Sequence, residues 1–444
     1  MRLAIALYEV LWMVLLPLLL AYLWQKGKRE PLYRQFWNER WGRVTTQLKK
    51  PIWVHSASMG EIRGAAPLIR ALLAEGYPVM VTTLTPAGRT AAQKLLEQAI
   101  ANGQAQVSYV PFELGGAIQR FIRNVQPLCA MMTEIDTWPA LLANIRAMKV
   151  PLCMANAQYP KKSIERDLHQ WGGFRAKLFP AYQLVMCKSE THANRFRQVG
   201  CSHVEVVGET RFDLPVSAHQ IAAAEKWVHQ WHLALNERPV ITFASAMVGE
   251  DEQFIDAMRL IQKGVAAAGK SKPLFVYVPR SPQRFDAIHD MFQAAGLSTV
   301  RRSLAFNQDL DLLDPKLNIA ETDVLLGDSL GEMYFYLALS QAVVVGASFV
   351  PLGAHNVIEP LALKKPVMVG HSIWGIEYPG VEALAAGVLQ QHMDIPSLAQ
   401  AMIQLLTDPN AYAQAMAGAD RFYAEHAGST AKHMAVLKPW LESL

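Results

Sequence analysis

The chain has 444 residues, of which 51% are hydrophobic, and a mean hydropathy of +0.10. That length allows two or three domains with their own cores, and the composition excludes a disordered or collagen-like chain. Lys and Arg number 42 against 38 Asp and Glu, but residues 1–24 cancel and residues 25–50 hold eight bases and two acids. The rest therefore carries 33 bases and 35 acids. A general nucleic-acid binder spreads its basic charge over a folded face, so that class does not fit.

Leu3 to Trp24 is apolar apart from Glu9, with one proline, Pro17. Roughly 20 such residues suffice to cross a bilayer as a helix. A cleaved signal peptide would need small residues where Leu20-Ala21-Tyr22-Leu23-Trp24 stand. Tyr22 and Trp24 fall where an interfacial aromatic belt would lie, and the basic collar follows directly. A membrane anchor with the following residues on the cytoplasmic side is expected, and Arg34, Trp37, Arg40, Trp41 and Arg43 suit an anionic membrane surface. A buried core helix and a solvated basic linker are the alternatives for these two stretches. The cysteines Cys129, Cys153, Cys187 and Cys201 lack metal-site spacing and read as core thiols.

From residue 51 the chain alternates short apolar runs with amphipathic segments. Strands are expected at Ile52–His55, Pro78–Thr82, Gln106–Val110, Leu128–Met132, Pro151–Met154, Gln183–Cys187 and His203–Val207. The rhythm breaks around Gly208–Ser217. It resumes at Val240–Ala244, Leu274–Val278, Ser298–Arg301, Val324–Leu326, Ala342–Val345, Pro366–Val369 and Gly387–Leu389, and one long helical stretch, Asn410–Leu444, ends the chain. The expected architecture is α/β: two Rossmann-like doubly wound domains facing a cleft, as in GT-B glycosyltransferases. The boundaries expected are residues 1–50 for anchor and collar, 51–210 for an acceptor-side domain and 211–444 for a nucleotide-sugar domain.

Four motifs follow strands. His55-Ser56-Ala57-Ser58-Met59-Gly60-Glu61 sets Glu61 at a helix start, as a proton-accepting base or simply as a first-turn acid. Thr133-Glu134-Ile135-Asp136-Thr137-Trp138-Pro139 offers two acids at a strand end, with Asp136 or Thr137 able to cap a helix. Gly327 to Met333 reads as strand, turn and helix, a weak phosphate cradle. In Gly346 to Pro360, small residues allow close backbone approach, and Glu359 can accept both hydroxyls of a ribose. Arg280, between a strand and a helix, suits a phosphate, and Arg211 sits at the expected hinge. Asp309-Leu310-Asp311 has the DxD form but lies in a polar connection, so no metal site is expected.

These motifs resemble the 3-deoxy-D-manno-octulosonic acid (Kdo) transferases of lipopolysaccharide synthesis. The likeness runs through nearly the whole chain, including Thr83–Gly88 (TLTPAG), the TE-x-x-x-WP stretch, the G-x-x-x-FD hinge at 208–213 and the H-N-x-x-E-P helix. The resemblance implies inverting, metal-independent transfer of Kdo from CMP-Kdo to lipid IVA, with no cofactor. Glu61 matches the catalytic base, and Glu134 and Arg211 match transition-state stabilisers. Pro279, Arg280, Gly331, Glu332, Met333, Asn356, Val357, Ile358 and Glu359 match CMP contacts. The family usually has Glu at Asp136, Asn at Ala140, Lys at Arg211 and Gly at Ala347 and Ala354. Asn156-Ala157-Gln158-Tyr159-Pro160 replaces an Asn-Ala-Arg-Leu-Ser run. The donor side is thus better preserved than the acceptor side. Two alternatives are a same-fold enzyme using another nucleotide sugar on a lipid, and a non-catalytic paralogue.

Overall fold

The computed structural model describes residues 2–135, 137–169 and 173–444, so Asp136 lies outside the described residues. The chain forms two compact units, Met1–Leu214 with His426–Leu444, and Pro215–Glu425. The unit on the second sheet therefore ends at residue 425, where the sequence suggested 211–444.

In the first unit seven parallel strands run in the order β3-β2-β1-β4-β5-β6-β7. They are β1 (Ile52–His55), β2 (Val79–Thr83), β3 (Ala105–Tyr109), β4 (Cys129–Thr133), β5 (Leu152–Ala157), β6 (Leu184–Cys187) and β7 (Val204–Val206). Helices cover both faces, so the inner strands are buried throughout, which is why they read as unbroken apolar runs. Strand alternation still sorts the side chains. Trp53 packs on Phe121 at 4.7 Å on one face, while Ile52 and Val54 join Ile62, Leu68 and Leu72 on the other. The chain order reverses between β1 and β4, the switch point beside which open sheets of this type place ligands. All four cysteines are buried free thiols.

The expected C-terminal helix is two helices, Pro409–His426 and Ser429–Glu442, separated at Gly428, whose φ of +76° is left-handed. The second returns to the first sheet, where Leu437 and Leu441 pack with Ile62 and Leu68. Asp213 receives it: its carboxylate accepts the Gly428 N–H at 2.6 Å and the Thr430 N–H at 2.5 Å. His433 then accepts the Asn156 N–H on Nε2 at 3.2 Å and its Nδ1 donates to the Ser429 carbonyl at 2.8 Å. Burial holds His433 neutral, its pKa lowered to about 4. The G-x-x-x-FD stretch thus has a structural task, docking the chain end.

The N-terminal helix, Arg2–Lys26, contains a stretch, Leu3–Lys26, long and apolar enough to cross a membrane by length and composition. Its acid turns inward: Glu9 accepts from Asn144 Nδ2 at 3.3 Å. The collar is folded against the helix end, unlike a solvated linker. Arg34 lies over the Trp24 ring at 4.2 Å and donates to the Trp24 carbonyl at 2.8 Å, and Lys26 donates to the Tyr33 hydroxyl at 2.9 Å.

The second unit repeats the theme with β8 (Val240–Ala246), β9 (Leu274–Pro279), β10 (Thr299–Arg301), β11 (Val324–Leu326), β12 (Ala342–Val345), β13 (Val367–Val369) and β14 (Leu389–Gln391). Its order, β10-β11-β9-β8-β12-β13-β14, is again wholly parallel, with the switch between β8 and β12.

Candidate active site

At the carboxyl edge of the first sheet a buried polar ladder holds the β1 turn. Trp53 Nε1 donates to Thr82 Oγ1 at 2.8 Å, His55 Nδ1 meets the same oxygen at 3.0 Å, and the Ser56 and Thr133 hydroxyls lie 2.9 Å apart. Burial lowers the His55 pKa to about 4, leaving the ring neutral. The next turn starts the helix Met59–Ala74. Ser58 accepts the Glu61 N–H at 3.3 Å, and the Glu61 carboxylate accepts from the Ala57 N–H at 2.8 Å and the Ser58 hydroxyl at 2.9 Å. This is a capping box, so the first-turn role of Glu61 is real. It is compatible with a base, because each carboxylate oxygen accepts more than one hydrogen bond and the side chain is only half-buried.

The TLTPAG stretch braces this turn. Thr83 Oγ1 and the Leu84 N–H both donate to the Ala57 carbonyl, at 2.9 and 3.0 Å. Thr85 caps the helix Pro86–Leu95, and a Cβ at Gly88 would sit 2.2 Å from Thr83 Oγ1. Only glycine allows that approach.

Beside the turn, Glu134 and Arg211 meet within a buried charge network. Arg211 Nη2 donates to Glu134 Oε1 at 2.6 Å and to the Gly60 carbonyl at 3.3 Å. Lys188 pairs with Glu209 at 2.5 Å and with Glu134 at 3.5 Å, both Lys188 and Glu209 being 1% exposed. Gln158 bridges, donating to Glu134 at 2.6 Å and accepting from Lys188 at 3.1 Å. Burial alone would raise the Glu134 pKa, but Lys188 and Arg211 outweigh it and hold the carboxyl below its ordinary value. Glu209 does most to raise Arg211 further above its ordinary range, with Glu134 helping. Two acids and two bases cancel. Glu134 itself has a left-handed φ of +58°, strain of about 1–3 kcal/mol that the network over-determines.

Sequence reading missed Lys188 and Glu209 and met Gln158 only as a departure. Lys188 carried one signal, a lysine immediately after an apolar strand at the sheet's carboxyl edge. Tyr159, the neighbouring departure, is core: its ring packs at a tilt against Phe179 and Phe196 and its hydroxyl donates to Asp167 at 3.1 Å. Of the two expected caps of the helix Pro139–Ala147, Asp136 lies outside the described residues and Thr137 does not serve. Glu113 accepts the Ala140 and Leu141 amides at 2.8 Å each, while the Thr137 hydroxyl makes no hydrogen bond.

In the second unit the candidate residues gather around the β8–β12 switch. Buried Glu250 accepts four amides, those of Met247, Ala347, Ser348 and Phe349, at 2.8–3.0 Å. It thereby shapes the loop after β12. Ala347 and Ala354 both have φ +62°, which explains why the resembling family favours glycine there. Exposed Arg280 anchors its backbone on the Ala246 carbonyl at 3.0 Å. Burial, then the Arg280 charge, lowers the His355 pKa to about 4, which brings these two residues into one electrostatic field.

The other expected donor residues are less uniform. Asn356 accepts the Ile358 N–H at 2.9 Å and starts a helix of five residues, Ile358–Ala362, in which Glu359 is half-buried and Val357 and Ile358 are core. Pro279 closes β9 as a buried residue. Gly331 has φ +84° with open space around its Cβ position, and Met333 opens the helix Met333–Leu339. Glu332 is occupied elsewhere, pairing with Arg302 at 2.5 Å and accepting from Ser329. Asp311, of the DxD run, pairs with Lys226 at 2.5 Å in an exposed loop. Among the described residues no three His, Cys, Asp or Glu side chains converge as a metal site.

Two doubly wound parallel units are the plan of the GT-B fold. A solved UDP-GlcNAc 2-epimerase from Neisseria meningitidis, 15% identical, shares the fold over 87% of this chain and 100% of its own, with a TM-score of 0.56. The family profile described as 3-Deoxy-D-manno-octulosonic-acid transferase (kdotransferase) matches residues 35–214. The 3-deoxy-D-manno-octulosonic acid transferase of Bordetella pertussis is 35% identical over 433 residues, 96% of this chain and 97% of that protein. That of Haemophilus influenzae is 27% identical, with 98% of each chain covered. The chain belongs to the Kdo transferase family of lipopolysaccharide biosynthesis.

Proposed function

We propose that the protein transfers Kdo from CMP-Kdo to lipid IVA with inversion, using Glu61 as the general base. The observation that carries this reading is the Glu61 turn, a carboxylate fixed at the β1–β4 switch beside a neutralised Glu134–Arg211 pair. The acceptor hydroxyl gives its proton to Glu61 as its oxygen bonds to the anomeric carbon. The bond to the CMP phosphate breaks, its electron pair leaving with CMP. Arg211 offers fixed positive charge near the reacting hydroxyl. In the second unit Arg280 meets the donor phosphate, and Glu359 holds the ribose through its hydroxyls. No metal or cofactor takes part in this reading. The helix Arg2–Lys26 anchors the enzyme in the inner membrane with both units on the cytoplasmic face, and the collar's cations favour an anionic surface.

Glu61→Gln keeps an oxygen for the Ala57 amide but cannot take the proton. With CMP-Kdo and lipid IVA, mass spectrometry of the lipid should show Kdo addition slowed about 10²–10⁴-fold, with CMP-Kdo binding intact by calorimetry. Near-normal turnover would remove Glu61 from this role. No mass increase with the unaltered protein would sink the reaction itself.

A further inference from the structure

A cavity of about 310 Å³ lies inside the first unit, between the N-terminal helix and the body of the sheet. Trp12, Leu19 and Leu23 form its helix side, and Val110, Phe112 and Leu141 form the other. Its volume is at the small end of ligand sites, which run to roughly 300–1,000 Å³. That is room for one extended chain and too little for a whole multi-acylated lipid.

Two cations line this apolar space, Lys26 and Arg40. Arg40 is 2% exposed, and its Nε and Nη2 are buried without a hydrogen-bond partner. Its guanidinium stacks on the Tyr109 ring at 3.9 Å, and it forms no ion pair among the described residues. The neighbouring acid favours its charge through space but forms no ion pair with it: Glu39 is taken by Arg89, at 2.5 and 3.0 Å, and by the Tyr109 amide at 2.8 Å. Glu113 also lines the cavity, but its oxygens accept the Ala140 and Leu141 amides. Leaving a guanidinium buried with open N–H groups is costly, and an anionic oxygen relieves it. A guanidinium fork suits phosphate in particular.

Position narrows the occupant. Leu84 and Thr85 close the cavity toward the sheet edge, and the Leu84 amide donates to Ala57, whose own amide donates to Glu61. The wall of the cavity is thus tied through Ala57 to the Glu61 turn. On the helix, Leu7, Val14 and Leu18 are exposed and do not line the cavity, so they mark a separate apolar face. An inorganic phosphate alone would leave the apolar lining unfilled. We infer that this cavity holds one acyl chain of the lipid acceptor, with Arg40 and Lys26 meeting the phosphate attached to it. This rests on the reading of the acceptor as an acylated, phosphorylated sugar lipid.

The test uses full-length protein in phosphatidylcholine nanodiscs and lipid IVA carrying a diazirine at the end of one acyl chain. After irradiation, adducts should fall in peptides containing Leu19–Leu23, Val110–Phe112 or Leu141. Arg40→Ala should cut that labelling at least tenfold without changing CMP-Kdo binding. Leu84→Trp, a rim substitution that leaves Arg40 in place, should do the same by filling the space and raise KM for lipid IVA alone. Adducts spread along Leu7, Val14 and Leu18 and indifferent to both variants would overturn the proposal. So would diazirine-phosphatidylglycerol labelling the cavity as strongly and resisting displacement by lipid IVA, since that would assign it to bulk membrane lipid. Should the unaltered protein transfer no Kdo, the reaction fails, and the labelling still decides the cavity.

Discussion

The two units share a sheet plan but build their switch points from different materials. In the first, the edge is made of side-chain charge: Glu61 in its capping box and the Glu134–Arg211–Lys188–Glu209 network. In the second, it is made of backbone: a loop of small residues, two of them at left-handed φ, hung on one buried carboxylate, Glu250. The contrast suits the two tasks proposed. Proton transfer and charge stabilisation need side chains of fixed ionisation, whereas a donor phosphate needs a shaped loop beside an exposed cation such as Arg280.

The strongest way to break the contrast is Lys188→Met. It leaves Glu209 and Glu134 buried with less compensation and should cost about 3–5 kcal/mol, read as an earlier urea midpoint. Adding Glu209→Gln should restore much of the loss. A change below about 1 kcal/mol would show that the network is not what stabilises the first edge.

In the second unit, Glu250→Ala removes the acceptor of four amides and should cost at least about 2–3 kcal/mol. Hydrogen exchange should quicken at Ala347, Ser348 and Phe349 while Asn156 and Glu134 keep their protection. Equal loosening in both units would erase the distinction drawn here.

A smaller effect follows from pH. Burial raises the Glu113 pKa from 4.5 to about 7, against the pull of its two amide donors. The folded state therefore binds the proton more tightly than the unfolded chain. This contribution is present in full below about pH 4.5 and is lost as pH rises through 7, on the order of 3 kcal/mol. Glu113→Gln should flatten the stability profile over that window, which thermal melts at stepped pH will show. An unchanged slope would mean that Glu113 stays ionised when folded. The mildest test is Ala347→Gly, which relieves a left-handed alanine and should stabilise the second unit by about 0.4–1 kcal/mol. Destabilisation would mean that the alanine methyl packs better than its backbone suffers.

Much of the fold was legible because its signals are local. Each of the fourteen strands lies within a few residues of its expected position, since an apolar run bounded by turn residues is readable without knowing its neighbours. Resolved differences arise where distant residues compete. Gly428 breaks what read as one helix, and only Asp213 and Asn156, far earlier in the chain, decide where the second half goes. Thr137 was a natural cap by spacing, yet its hydroxyl makes no hydrogen bond and Glu113, from a different element, takes the amides of Ala140 and Leu141.

The site divides in the same way. The sequence alone determined that acids and small residues stand at strand ends, because strand, turn and helix start are written in consecutive residues. It also placed the eight collar bases beside the apolar helix. Tertiary structure decided which of those ends are neighbours, by setting β1 against β4 and β8 against β12. It brought Lys188 and Glu209 to Glu134, occupied Glu332 with Arg302, and left Arg40 buried over a cavity with two nitrogens unmatched. Ionisation and hydrogen-bond satisfaction depend on what lies within about 4 Å in space, and sequence spacing does not carry that distance.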